Sequence, residues 1–323
     1  MRRFSRFAIS PTTYRRITFL DLVALAFITI SGGAVRITGS GLGCSDWPAC
    51  EENQFVPALD QPHAMVEFVN RLVTGAVSIT VILAVLGALL RVPKRKDLVM
   101  LSVGLVVGVV AQILLGALVV LFKLTPVSVI GHYLLSIVLL WNALVLHNRA
   151  GTGAGSAVPV VASRQVLLGR ILVGWGFVVL TAGTLVTGAG PHAGDPEAQR
   201  LPLAVPTAAR IHGVTVVVFL VLALVTSWAI ARDGAARQIQ VRARVLTGSI
   251  LAQAAIGYTQ YFTGVPVILV ALHLVGAVAV WISVVRFHLG LFARPIESPN
   301  DERAPQRKRP SPPVEQSAVP VLR

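Results

Sequence analysis

Acidic residues are scarce in this sequence: 14 Asp and Glu stand against 28 Lys and Arg, and charged residues of both signs fill only 13% of 323 positions. Cysteine is scarcer still, with two in the chain. Two thiols without a clear set of further ligands argue against a structural zinc site. So little charge beside a hydrophobic fraction of 54% excludes a soluble globule, because the apolar runs are too long and too many for one water-soluble core. The first apolar run lacks a clear small-residue cleavage site and is long, so it reads as a retained helix rather than a signal peptide. What remains is an all-α, polytopic membrane protein.

Stretches of about 20 apolar residues predict eight transmembrane helices, over 17–38, 64–90, 98–122, 128–148, 166–187, 207–231, 243–263 and 266–289. The chain then divides into a basic N-terminus (1–16), a four-helix half (17–148) with an outer loop at 39–63, a linker (149–165), a second four-helix half (166–289) and a tail (290–323). The Ala/Gly/Ser-rich linker is expected to be flexible, and the Pro- and Arg-rich tail disordered. A net charge of +14 would suit nucleic acid, but its distribution does not. Arg15 and Arg16, Arg91 to Lys96, Arg149 and Arg164, Arg232 to Arg244, and Arg294 onward all fall on one side if the helices alternate. The positive-inside rule makes that side cytoplasmic, with both termini there, in a cell membrane. The opposite loops hold Asp46, Glu51, Glu52, Asp60, Asp195 and Glu197.

The chain also repeats itself. "AQILLG" at 111–116 matches "AQAAIG" at 252–257, and Gln112 precedes His132 by 20 residues as Gln253 precedes His273. "TGSGLGCSD" at 38–46 aligns with "TGAGPHAGD" at 187–195, and Trp141 and Trp281 follow the two histidines by nine and eight residues. Two halves with four spans each have the same orientation, as parallel repeats about an axis along the membrane normal. His212 stands 61 residues before His273; in the first half, 62 residues before His132, stands Asn70. All four positions fall near the outer ends of their helices.

Two histidines from different helices of a bundle, at one depth, suit bis-imidazole ligation of a haem. The plainer reading of each one is a polar helix-end residue bonded to a neighbour or to water. Arg36, Arg71 and Arg210 sit near the same ends, where haem propionates or lipid headgroups would satisfy them. Glu67 shares a helix face with Asn70 and has Ala209 as its counterpart. A carboxylate at membrane depth points to function, with a salt bridge to Arg71 as the alternative. Cys44 and Cys50 lie six residues apart on the oxidising side, placed either to staple a short loop as a disulfide or to cycle as a redox pair.

Together these segments resemble the heme A synthase family: "GGAVRITGSGLGCSDWPAC" at 32–50, "EFVNR" at 67–71, "TGAGPHAGD" at 187–195, and His132, His212 and His273. The resemblance covers all eight helices. It implies an oxidoreductase that converts heme O to heme A for cytochrome oxidase, oxidising the C8 methyl of the porphyrin to a formyl group. It further implies heme B on His212 and His273, with Arg210 nearby, and heme O in the first half with His132, Asn70, Arg71 and Arg36 around it. Glu67 would be the essential carboxylate, and Cys44 and Cys50 the paired loop thiols. Heme O would come from a heme O synthase; the electron partner is unidentified, self-association is left open, and nucleic acid is not a partner.

The departure from the family pattern is Asn70, where the family typically has histidine. Asparagine is a poor ligand for haem iron, so His132 is expected to be the sole axial protein ligand there. His63 is the substitute ligand in reach and is expected in the loop. The alternative to an enzyme is a di-haem b-type electron-transfer protein. A transporter is disfavoured by the lack of interrupted helices at mid-membrane.

Overall fold

The computed structural model describes residues 8–52 and 54–294. Arg2, Arg3 and Arg6 and the tail beyond 294 lie outside the described residues. Eight α-helices are found: α1 (Pro11–Ile37), α2 (Pro62–Leu90), α3 (Lys96–Leu121), α4 (Pro126–Ala150), α5 (Ser163–Ala189), α6 (Val205–Arg232), α7 (Arg237–Phe262) and α8 (Val267–Leu289). Pro11, Pro62 and Pro126 occupy first turns, where a missing N–H costs nothing. The hydroxyl of Ser10 caps α1 by accepting from the Thr13 amide at 3.1 Å. Such caps explain why α1 starts six residues before its apolar run: the run marks what hydrocarbon covers, and the helix continues through a polar turn.

Seven of the eight helices are long and apolar enough to cross a membrane, which makes the chain a multi-pass membrane protein. α7 is the exception to the eight spans expected from sequence. It has the length, 26 residues, but Arg237, Arg242, Arg244, Gln240, Gln253 and Gln260 dilute its apolar character. It packs between α6 and α8, whose own surfaces are apolar.

α1 to α4 close on themselves, with α1 against α2 and α4, and α3 against α2 and α4; α5 to α8 close in the same order. The two groups meet through α1 against α8, α4 against α8, and α4 against α5. At that seam the Trp281 indole is buried and donates to the Ile137 carbonyl at 3.1 Å. Trp141, which the sequence pairs with Trp281, is 45% exposed. Its spacing from histidine differs by one residue, about 100° around a helix, which turns it to the outside.

The turns after α3 and α7 share an unusual backbone. Lys123 and Leu124 (φ 48° and 58°) and Gly264 and Val265 (φ 80° and 61°) are left-handed. Leu124 N donates to Val119 O at 2.8 Å, and Val265 N to Gln260 O at 2.7 Å. Only glycine takes such φ freely; the other three are held there by the helix-ending hydrogen bond.

The opposite end is basic. Arg95 donates to both carboxylate oxygens of Asp97 and to the Arg149 and Thr152 carbonyls, and Arg164 pairs with Asp233. Two short strands join there, β1 (Val158–Pro159) antiparallel to β2 (Phe292–Ala293), and Arg294 donates to the Gly155 carbonyl at 2.9 Å. The segment between the halves is thus tied to the end of the second half. Deeper in α1, buried Asp21 accepts from the Thr80 hydroxyl at 3.1 Å.

Replacing Trp281 by Ala removes the largest side chain and a hydrogen bond from the seam. A loss of about 3–5 kcal/mol is expected from burial alone, read as a lower thermal transition of the purified protein in detergent.

Candidate functional site

A cavity of about 1180 Å³ opens in the bundle and reaches into both halves. Glu67, Asn70 and Arg71 of α2, Arg36 of α1 and His132 of α4 line it on one side; Arg210 and His212 of α6 and His273 of α8 line it on the other. The sequence-derived residues other than the cysteines and His63 therefore share one cavity. Its walls are otherwise mainly aliphatic, with Tyr258, Tyr261 and Phe262 of α7 in the second half.

His132 and His273 each lie six residues after the first residue of their helices, Pro126 and Val267. The carbonyl of each accepts a side-chain amide from the helix before it: Gln112 Nε2 to His132 O at 2.9 Å, Gln253 Nε2 to His273 O at 2.6 Å. The rings of His212 and His273 have centroids 6.3 Å apart and planes 79° apart. Two imidazoles bonded to opposite sides of one metal at about 2.0–2.1 Å have centroids about 6 Å apart, so this pair fits a shared iron. Nδ1 of His132, His212 and His273 is buried without a hydrogen-bond partner. Among the described residues no group of three or more His, Cys, Asp or Glu is placed to hold a metal ion. A porphyrin supplies four nitrogens itself and needs only the axial two, so these residues fit a haem and do not fit a bare ion.

In the first half, Asn70 Oδ1 accepts from the Ser31 hydroxyl of α1 at 2.8 Å. Glu67 is 6% exposed, and both of its oxygens are engaged. Oε1 accepts from Arg71 Nη2 at 2.6 Å, and Oε2 from the Cys44 amide at 2.9 Å. Arg71 donates further to the carbonyls of Asp46, Pro48 and Ala49. The salt bridge weighed from sequence is present, and it serves to fold the cysteine loop onto α2.

Cys44 and Cys50 form a disulfide and are buried, at 0% and 1% exposure. They do not line the cavity, but Trp47 and Pro48 between them do. Gly43 is required beneath this loop: a Cβ there would come within 2.4 Å of the His63 backbone. His63 itself lies in the first turn of α2, not in the loop as expected. Its Nδ1 is 2.9 Å from the Ser40 hydroxyl and it does not line the cavity, so it is not a substitute ligand in this arrangement.

Arg36 donates from Nε to the His192 carbonyl and from Nη2 to the Thr187 carbonyl, each at 2.9 Å. Gly41 N donates to Gly194 O at 2.8 Å beside it, so the loops after α1 and α5 are laced together. His192 reaches the Val265 carbonyl at 3.0 Å and contributes no ring to the cavity. Arg210 is exposed and lines the cavity. A cationic rim of this kind suits carboxylates of a ligand. Sequence reasoning missed the partners of Arg36 and Arg71, which are backbone carbonyls and leave no mark on composition. It used Gln112 and Gln253 only as repeat markers, although their fixed 20-residue distance to histidine was a usable signal.

The fold and site together define a multi-pass helical membrane protein with one large, mainly aliphatic cavity that carries an imidazole pair and an arginine rim. Residues 15–285 match the family model described as "Cytochrome oxidase assembly protein" (COX15-CtaA), and the chain belongs to that family. It is similar to the heme A synthase of Exiguobacterium sibiricum, 26% identical over 179 residues that cover 54% of this chain and 58% of that protein. The heme A synthase of Bacillus licheniformis is 30% identical over 128 residues, 39% of this chain and 42% of the relative. That of Listeria welshimeri is 30% identical over 121 residues, 37% and 39% respectively. The matched stretches thus span from 39% to 58% of these curated relatives.

Replacing Arg71 by Gln removes the positive partner of Glu67 and most of the donors that hold the loop. The Cys44–Cys50 bond is then expected to be reduced several-fold faster by added thiol, measured by alkylation of the freed cysteines in membranes.

Proposed function

We propose that the chain is a heme A synthase, oxidising the C8 methyl of heme O to a formyl group. The observation that carries this reading is the single cavity in which an imidazole pair of one half faces an asymmetric site of the other. A protein that only passed electrons would account for the imidazole pair but not for the residues across from it. The first half contributes to the cavity a buried carboxylate, Glu67, an amide, Asn70, and one histidine, His132.

In this reading the halves are two copies of one four-helix unit, parallel in the membrane, with both termini and the basic end cytoplasmic. The like turns after α3 and α7 and the like glutamine bonds to His132 and His273 support it. The Arg95 and Arg164 clusters support the cytoplasmic assignment by the positive-inside rule. α7 then completes the eighth span in spite of its polar residues.

His212 and His273 would hold heme B, with Arg210 at its propionates. Heme B, when bound, supplies one-electron redox chemistry. His132 would hold the iron of the substrate, heme O, whose methyl edge must be directed toward Glu67. The Glu67 carboxylate already accepts from Arg71 and the Cys44 amide. With both oxygens so engaged, it is better placed to stabilise positive charge developing at the methyl carbon than to abstract a proton. Asn70, fixed at Oδ1 through Ser31, would keep its Nδ2 to donate into the cavity. The disulfide loop holds Trp47 and Pro48 against the same site. Heme O would be delivered by a heme O synthase; with water as the source of the formyl oxygen, conversion of methyl to formyl releases four protons and four electrons, and an electron acceptor would take the electrons.

Expression of the full chain beside a heme O synthase, in a host lacking heme A, tests the reading by pigment extraction. Heme A is expected; heme O alone, with protohaem bound to the chain, would make it a di-haem electron-transfer protein. Glu67→Gln is expected to lower formyl product by about 10²-fold or more while heme B stays bound. With heme O bound, the first site should lack a bis-histidine low-spin signal, and Asn70→His should create one in electron paramagnetic resonance.

A further inference from the structure

Each of the four residues at the matched outer positions lies against a glycine of the preceding helix. A Cβ added at Gly116 of α3 would stand 3.2 Å from His132 Cε1, at Gly183 of α5 3.2 Å from His212 Cε1, and at Gly257 of α7 3.0 Å from His273 Cε1. At Gly32 of α1 the nearest atom would be Asn70 Nδ2, at 4.0 Å. Glycine as such is not the cause. Gly174 of α5, Gly213 of α6 and Gly248 of α7 have nothing within 4 Å of an added Cβ.

A metal-bound imidazole is ordinarily oriented by a hydrogen bond from its other nitrogen to a carboxylate, carbonyl or water. His132 and His273 have none, because Nδ1 of each is buried without a partner; at His212 the Val179 carbonyl lies near, but no well-formed bond to Nδ1 is made. The ring angle must be fixed by something else. One edge of each ring rests in the notch left by the missing Cβ. On α3 and α7 a glutamine one turn before that glycine also anchors the backbone of the same histidine. That carbonyl already serves its own helix, and its second lone pair takes the glutamine. Backbone anchor and ring notch together leave the imidazole one orientation.

We propose that Gly116, Gly183 and Gly257, with Gln112 and Gln253, are positioning residues that set the angle at which each imidazole meets haem iron, by contact instead of by hydrogen bonding. Gly32 reserves the equivalent seat at Asn70. The inference rests on the reading that His212 and His273 share one haem.

The full chain is purified with its haem as wild type, Gly257→Ala, Gln253→Met and Gly248→Ala, and three quantities are read: haem content, the low-spin ferric resonance and the midpoint potential. An alanine at 257 forces His273 to yield by a few tenths of an ångström. Gly257→Ala is therefore expected to keep its haem but to shift the resonance and the potential. Gln253→Met, which keeps the length and loses the donor, should shift them as well and covers the case in which Gly257→Ala does not fold. Gly248→Ala, on the same helix in open space, should match wild type. Resonance and potential identical to wild type in both Gly257→Ala and Gln253→Met, with only a lower thermal transition, would overturn the proposal by making these residues merely structural. A wild-type protein without low-spin haem would instead overturn the haem reading beneath it.

Discussion

Backbone carbonyls in irregular loops at a membrane surface need donors, and here arginine supplies them. Arg71 takes the carbonyls of Asp46, Pro48 and Ala49, Arg36 those of Thr187 and His192, and Arg200 those of Pro191 and Ala198. A loop without secondary structure has few backbone amides in register to satisfy these groups, so side-chain donors take a larger share. A guanidinium, with five donors in a fixed fork, satisfies several at once. The outer rim of the cavity is built on this exchange. Glu67 belongs to it as well, since the carboxylate that faces the cavity is also the counter-ion of the arginine that shapes the loop. Cavity wall and loop scaffold share one ion pair, so a change at either residue disturbs both.

The two halves solve the same problem differently. The first closes its loop with a disulfide and anchors it on α2, across a short sequence distance. The second has neither thiols nor a carboxylate at the matching place, and its loop is held by an arginine from the other half. The imidazole pair stands in the half whose rim is the simpler, and the asymmetric site stands under the stapled one.

Much of this was legible in sequence where the signal is periodic or fixed in spacing. Apolar runs located all eight helices, and the equal distances from Gln112 to His132 and from Gln253 to His273 marked residues that are indeed bonded. What escaped was carried by backbone or by long range. Arg36 and its acceptors lie about 150 residues apart, and an acceptor that is a carbonyl belongs to no residue type. The starts of α1 and α7 were each missed by six residues, because a helix continues through polar turns past its apolar cover. The one-residue difference between Trp141 and Trp281 looked like a match in spacing, yet it separates a surface residue from a buried one. The polar character of α7 was hidden by counting its central stretch alone.

The strands Val158–Pro159 and Phe292–Ala293 fasten the connecting segment to the end of α8, and at the other end of the molecule Gly41 to Gly194 with Arg36 lace the loops of the two halves. Chain that is irregular in secondary structure is thereby pinned above and below the cavity. Val214, Tyr258 and Phe262 line that cavity and are also exposed. The cavity's flank is therefore one side chain thick, and its inner wall and the apolar exterior of the helices are two faces of the same residues.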